Sequence, residues 1–202
     1  MNTIQRTWFT WRHARKFTRC GQGCEFPVPD LQVHGHVEIG AYCRFRNNVV
    51  LRAEGAGRIL IAHRSGFSWN CVVVANELVR VGTRTAFAEN TVICDTIYPL
   101  FGAEGGCREV EPRTAPIVIG DNCFVGSGSF VGPGVTMEEG AIVAHHSVLT
   151  RSVGAYEIWG GRPARFMAHR TKNVPEKVRR EVEALMAQYG VQADRQEGRY
   201  EF

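Results

Sequence analysis

The chain reads as an all-β solenoid, a parallel β-helix of about five to six triangular coils. Two observations carry this. Between Val33 and Leu149 an aliphatic or aromatic residue returns every six positions, as in Ile119, Val125, Val131, Met137, Val143 and Leu149. A small or branched residue follows four places after each, at Cys123, Ser129, Val135, Ala141 and Ser147. This period fits neither an amphipathic helix nor one alternating strand, so each unit is a short strand plus a corner. Three units close a triangle, and the chain returns to the same face one strand spacing, about 4.8 Å, further on.

Residues 1–32 read as an N-terminal arm that caps the open end. The arm mixes Trp8, Phe9, Trp11 and Phe17 with Arg6, Arg12, Arg15, Lys16 and Arg19. Packed on the first coil it covers exposed strand edges. The same composition suits peripheral contact with an anionic membrane surface, such as the inner face of the cell membrane. Residues 33–170 are the solenoid, with rungs at Val33, Ile39, Phe45 and Leu51, then Ile61, Phe67 and Val73, then Val81, Phe87 and Ile93, then the series from Ile119. Against uninterrupted six-residue spacing, the coils at Ile61, Val81 and Ile119 begin four, two and twenty residues late. The last delay is an excursion over 95–116. A loop of this length in a compact repeat is more often functional than accidental. Within it Arg108, Glu109, Glu111 and Arg113 offer charges to a polar acceptor, against a solvated loop as the default. Residues 171–202 carry a helix over 175–189, with Val178, Val182, Leu185 and Met186 on one face, and then a tail.

The remaining composition narrows the function classes. The formal charge of +4 over 202 residues is too mild and too dispersed to argue for nucleic acid. Seven cysteines lie without paired zinc-ligand spacing, which fits a reducing cytoplasm. Cys43, Cys71 and Cys123 fall on the small position after a rung and read as packing residues. No apolar stretch approaches the roughly 20 residues that cross a bilayer, and no apolar core of a signal peptide stands at the start, so the expectation is neither secreted nor membrane-spanning.

Residues 116–165 resemble the C-terminal half of hexapeptide-repeat acyltransferases, closest to sugar and polysaccharide O-acetyltransferases. The motifs are Ile-Gly-Asp-Asn at 119–122, Gly-Val-Thr at 134–136, Ala-His-His-Ser-Val-Leu-Thr-Arg at 144–151 and Gly-Arg-Pro-Ala at 161–164. The resemblance implies a left-handed coil, a homotrimer, and acetyl-CoA as acyl donor in a groove between neighbouring solenoids, with no metal. Carried over by motif, Gly126, Ser127, Ala144 and His145 lie along pantetheine, Thr150 and Arg151 form the Thr-Lys step, and Pro163, Ala164 and Arg165 approach the adenine and 3′-phosphate. Arg162 stands where the family has Asn. Asn70 matches an asparagine near the acceptor, a sugar, glycolipid or small polar metabolite.

The family's proton-accepting histidine is missing, since the corresponding stretch reads Cys94, Asp95, Thr96, Ile97, Tyr98. General-base catalysis is worth roughly 10²- to 10⁴-fold, so something must replace it. Asp95 and Tyr98 stand in place, and His145 or His146 could serve from the coil corner; imidazole is the better base at neutral pH. Alternatively the acceptor is an amine, which needs positioning more than activation, or the protein is a silent trimeric scaffold or regulatory protein. His34, His36, His63, His13 and His169 do not occupy the repeated coil positions that the zinc site of a γ-type carbonic anhydrase requires.

Overall fold

The computed structural model describes residues 10–26, 29–98, 111–170 and Arg180. Three parallel sheets form the faces of the solenoid. The first holds Arg19–Cys20, His36–Ile39, Arg58–Ile61, Leu78–Val81, Ile117–Ile119 and Thr136–Met137. The second holds Arg44–Phe45, Gly66–Phe67, Ala86–Phe87, Phe124–Val125, Ile142–Val143 and Glu157–Gly161, closed by the antiparallel strand Ala164–His169. The third holds Gln32–His34, Val50–Ala53, Val72–Ala75, Val92–Cys94, Phe130–Val131 and Val148–Leu149. Registers pair Ile39 with Ile61, Ile61 with Val81, Val81 with Ile119 and Ile119 with Met137. The rungs and all three insertions therefore fall where the repeat places them.

Inside, like stacks on like. Phe26, Phe45, Phe67 and Phe87 form one column with ring centroids 5.5, 5.2 and 4.5 Å apart. Stacked aromatics of this kind add about 0.5–1.5 kcal/mol per pair beyond burial. The small position after each rung proves to be more than filler. Cys24, Cys43, Ser65, Thr85 and Cys123 each donate to a carbonyl of the following coil, at Gly40, Ala62, Gly82, Gly120 and Glu138. A short side chain with one weak or strong donor satisfies a carbonyl that the tight corner turns inward. Burial pushes the thiols of Cys71 and Cys123 up to about 11, in keeping with packing residues.

The boundary at residue 33 is corrected. Arg19–Cys20 pairs parallel with Glu38–Ile39 and Glu25 bridges Arg44, so a coil is already under way within the arm. Seven positions instead of six separate Phe26 from Val33, which breaks the frame. In the described part of the arm, buried His13 and Phe17 lie against Phe26, at 6.2 and 5.3 Å, while Trp11, Arg12 and Arg15 are exposed. Trp8, Phe9 and Arg6 lie outside the described residues. So does the expected helix over 175–189, save Arg180, which is helical and exposed. The base of the excursion is a short antiparallel pair, Thr96–Ile97 with Arg113–Thr114. Arg108 and Glu109 lie outside the described residues, and Glu111 and Arg113 are exposed.

Candidate functional site

The corner between the second and third faces collects most of the sequence-predicted residues. Its backbone turns through the left-handed region once per coil, at Asn48, Asn70, Asn90, Gly128 and His146, with φ of 58, 59, 58, 66 and 54°. Asparagine suits this conformation because its short amide hydrogen-bonds locally. Here the amides also bond each other, Asn48 Nδ2 to Asn70 Oδ1 at 3.0 Å and Asn70 Nδ2 to Asn90 Oδ1 at 3.1 Å. Asn70 is thus engaged on both ends, whereas Nδ2 of Asn90 keeps a donor with no partner among the described residues. The ladder stops at Gly128. A Cβ there would lie 2.6 Å from His146 Nδ1, so the glycine makes room for the imidazole. Left-handed residues recur at other corners too, including Arg64 and Arg84, so the strain at His146 belongs to the architecture.

One residue back along the same corner, Trp69, Glu89, Ser127 and His145 stand in successive coils. Asn90 N–H bonds Trp69 O, Gly128 N–H bonds Glu89 O and His146 N–H bonds Ser127 O, which fixes the order. Ser127 N–H donates to His145 Nδ1 at 2.9 Å. In the neutral ring the proton then sits on Nε2, and exposed His145 presents a donor, not a base. No hydrogen bond from a described residue reaches the ring of His146, which leaves it the member of the pair able to accept a proton. Glu89 accepts from Ser68 Oγ at 2.6 Å and Ser127 Oγ at 3.0 Å. These bonds, Ser68 first, hold its carboxyl below the usual carboxylate range, with the nearby His145 adding to the effect.

Three expectations change. Most amides at this corner are spent on the solenoid: Gly126 on Val143 O, Ala144 on Trp159 O, Ser147 on Ser129 Oγ. The amides of His145 and Ser129 are among those at this corner that make no such bond to a described residue. Gly126 is buried, and its missing Cβ admits the His145 backbone of the next coil, so its smallness serves packing. Thr150 and Arg151 are exposed but sit at the next corner, past Val148–Leu149. Pro163 and Arg165, by contrast, lie in the hairpin that Arg162 ties back, its Nε donating to His146 O at 2.7 Å; Ala164 is buried beneath them.

Asp95 is corrected as a base candidate. It is fully buried, and its oxygens accept the amides of Asn76, Glu77 and Leu78 at 2.8–3.1 Å together with the Thr96 hydroxyl. A carboxylate so engaged anchors the root of the excursion. Tyr98 is exposed just past the short strand Thr96–Ile97 and touches none of the corner residues through a hydrogen bond among those described. A groove of about 380 Å³ opens elsewhere, on the outer first face between Arg19, Glu38, Leu60 and Arg80, with His63 at its rim. None of the residues at the corner between the second and third faces lines this groove.

Sequence reasoning missed Glu89, Trp69, Ser68 and Gly128. Coil arithmetic could have found them: Trp69, Glu89, Ser127 and His145 are spaced by 20, 38 and 18 residues, the intervals between Phe67, Phe87, Val125 and Val143.

Residues 116–151 match the bacterial transferase hexapeptide model of six repeats. Among curated relatives, galactoside O-acetyltransferase of Escherichia coli (strain K12) is 26% identical over 98 residues, 48% of this chain and 47% of the relative. Mitochondrial gamma carbonic anhydrase 2 of Arabidopsis thaliana is 25% identical over 135 residues, 57% of this chain and 45% of the relative. The chain thus spans about half the length of the curated relatives it matches. Among solved structures, AntD, an N-acyltransferase from Bacillus cereus in complex with dTDP and 3-hydroxybutyryl-CoA, superposes with a TM-score of 0.70 over 89% of this chain and 96% of that one, at 17% identity. That likeness gives the fold, the left-handed β-helix of acyltransferases.

Proposed function

We propose that this solenoid, which matches the bacterial transferase hexapeptide model over 116–151 and is similar to galactoside O-acetyltransferase over 98 residues, is a CoA-dependent acyltransferase that moves an acetyl group from acetyl-CoA to a sugar or small polar metabolite. The observation that carries the reading is the second corner, where two consecutive histidines are held in different states. His145, with Nδ1 occupied by the Ser127 amide, directs Nε2–H outward to a carbonyl oxygen. His146, with its ring uncommitted over Gly128, takes the acceptor's proton. Together they replace the missing histidine of the excursion.

The coenzyme supplies an activated acyl thioester. For it this chain offers the His145 amide and the cations of Arg162 and Arg165 at the hairpin, a donor set that suits amides and phosphates. The reading includes the homotrimer that the family resemblance implies, in which a neighbouring solenoid supplies the other wall of the groove. The scaffold reading draws support from the corner amides already spent on the solenoid. The carbonic anhydrase relative brings a third, which stoichiometric zinc in the purified protein would favour.

Calorimetric titration of acetyl-CoA separates these readings. Wild type is expected to bind, Ser127→Trp to lose binding by filling the corner, and His146→Ala to bind normally while thiol release in the presence of an acceptor falls about 10²-fold or more. A folded trimer that does not bind acetyl-CoA would put the scaffold reading ahead.

A further inference from the structure

We infer that the N-terminal turn at 11–19 seats the protein on an anionic lipid bilayer through Trp11, Arg12, Arg15, Lys16 and Arg19; this surface stands apart from the acyl-transfer reading above. The composition of the arm suits either packing on the core or contact with a membrane, and the structure gives the two roles to opposite sides of one turn. Residues 10–14 are helical. His13 and Phe17, four apart, are buried and meet Phe26 at 6.2 and 5.3 Å. Trp11 and Arg15, also four apart, share the other side, with the Arg15 guanidinium 3.6 Å from the indole centroid. Packing on the core therefore makes no use of Trp11 or Arg15. With that guanidinium over one face of its ring, Trp11 is still 55% exposed.

Charge points to the same partner. The first 24 residues hold no Asp or Glu, and Arg12, Arg15, Lys16 and Arg19 are all exposed. The first acid in the chain, Glu25, is engaged by Arg44 at 3.0 and 3.2 Å. Lys16 donates to Leu31 O at 2.7 Å, and burial, then the Arg12 charge, lower its pKa. Cations that crowd one another in this way lack negative charge, and a layer of lipid phosphates supplies it. Guanidinium forks bind phosphate oxygens, while indole settles at the headgroup level of a bilayer, so Trp11 with Arg15 stacked on it presents both groups as one unit. Attachment of this kind needs no spanning segment, and no helix among the described residues is long and apolar enough to cross a membrane. A single-stranded nucleic acid would want several rings spaced for successive bases, whereas Trp11 is the one exposed aromatic among the described residues of this turn.

The test is flotation of the full chain with vesicles of pure phosphatidylcholine and of equal parts phosphatidylcholine and phosphatidylglycerol. The protein is expected to float with the mixed vesicles, to bind pure phosphatidylcholine roughly tenfold less tightly or worse, and to come off as salt is raised. Each cation near such a surface is worth about fivefold in affinity, so Arg12→Gln/Arg15→Gln is expected to weaken binding roughly 25-fold. Arg58→Gln/Arg113→Gln removes the same charge from exposed positions outside the arm and is expected to change binding less than about twofold. Mixed vesicles are also expected to shift tryptophan emission to the blue, and Trp11→Phe to remove most of that shift. Absence of flotation, equal binding to the two vesicle types, equal loss in the two double variants, or an undiminished blue shift in Trp11→Phe overturns the inference. Retention on single-stranded RNA without flotation would give the surface to nucleic acid and overturn it as well. None of these readouts needs acetyl-CoA, so a protein that floats as expected but transfers no acyl group keeps this surface and loses only the acyl-transfer reading.

Discussion

If Asp95 anchors the excursion and has no part in proton transfer, its replacement must cost stability first. Asp95→Ala removes the acceptor of three backbone amides, those of Asn76, Glu77 and Leu78, and of the Thr96 hydroxyl, all within 3.1 Å of a fully buried carboxylate. Each stranded donor costs about 1–3 kcal/mol. Water entering beside the exposed Asn76 and Glu77 recovers part of this, which leaves about 3 kcal/mol. For a chain of this size that corresponds to a fall in melting temperature of roughly 6–12 °C. Asp95→Asn keeps the shape but turns one acceptor into a donor facing amide donors, so it falls between wild type and Ala. The assay is thermal unfolding by circular dichroism, alongside acetyl transfer measured well below the transition. A shift under about 2 °C for Asp95→Ala, or a folded Asp95→Asn protein with turnover lost about 10²-fold, would refute the reasoning.

Two further predictions follow from the core and the C-terminal hairpin. Phe67→Ala opens a gap in the phenylalanine column between neighbours at 5.2 and 4.5 Å and is expected to cost about 3–5 kcal/mol in urea unfolding, with Phe67→Leu costing much less. Glu157 accepts Trp159 Nε1–H at 2.8 Å and the Gly154 amide at 2.9 Å, and these bonds, the indole first, lower its pKa from 4.5. A lowered folded value means the contribution is present above pH 4.5 and lost as pH falls through the folded value. Acidification through that window is expected to change Trp159 fluorescence, and Glu157→Gln to remove the acid transition.

How much of this was legible depended on which residues carry a period. A rung must be apolar and recur at a fixed offset, because its side chain stacks on the rungs of neighbouring coils in a closed interior, and so Ile39, Phe45, Leu51 and their successors announced both the fold and the positions of its insertions. The first coil escaped because a single extra residue between Phe26 and Val33 shifts the frame, and local pattern has no memory across a shift. The pairing of Arg19–Cys20 with Glu38–Ile39 is a long-range fact that only stacking reveals.

The candidate site divides in the same way. Resemblance to the family motifs brought out Ser127, His145 and His146, which sit on adjacent coils separated by one uninterrupted repeat. It could not tell the two histidines apart, because the difference lies in a hydrogen bond from the Ser127 amide to one ring and in the room that Gly128 leaves for the other. Nor could it separate Asp95 the base from Asp95 the anchor, for a carboxylate's role is set by what surrounds its oxygens. Sequence by itself determined the solenoid and its period, since period follows from which side chains can face a closed interior. Tertiary structure alone decided which donors and acceptors at that corner remain unspent, since hydrogen-bond partners in a solenoid come from coils 18 to 38 residues away.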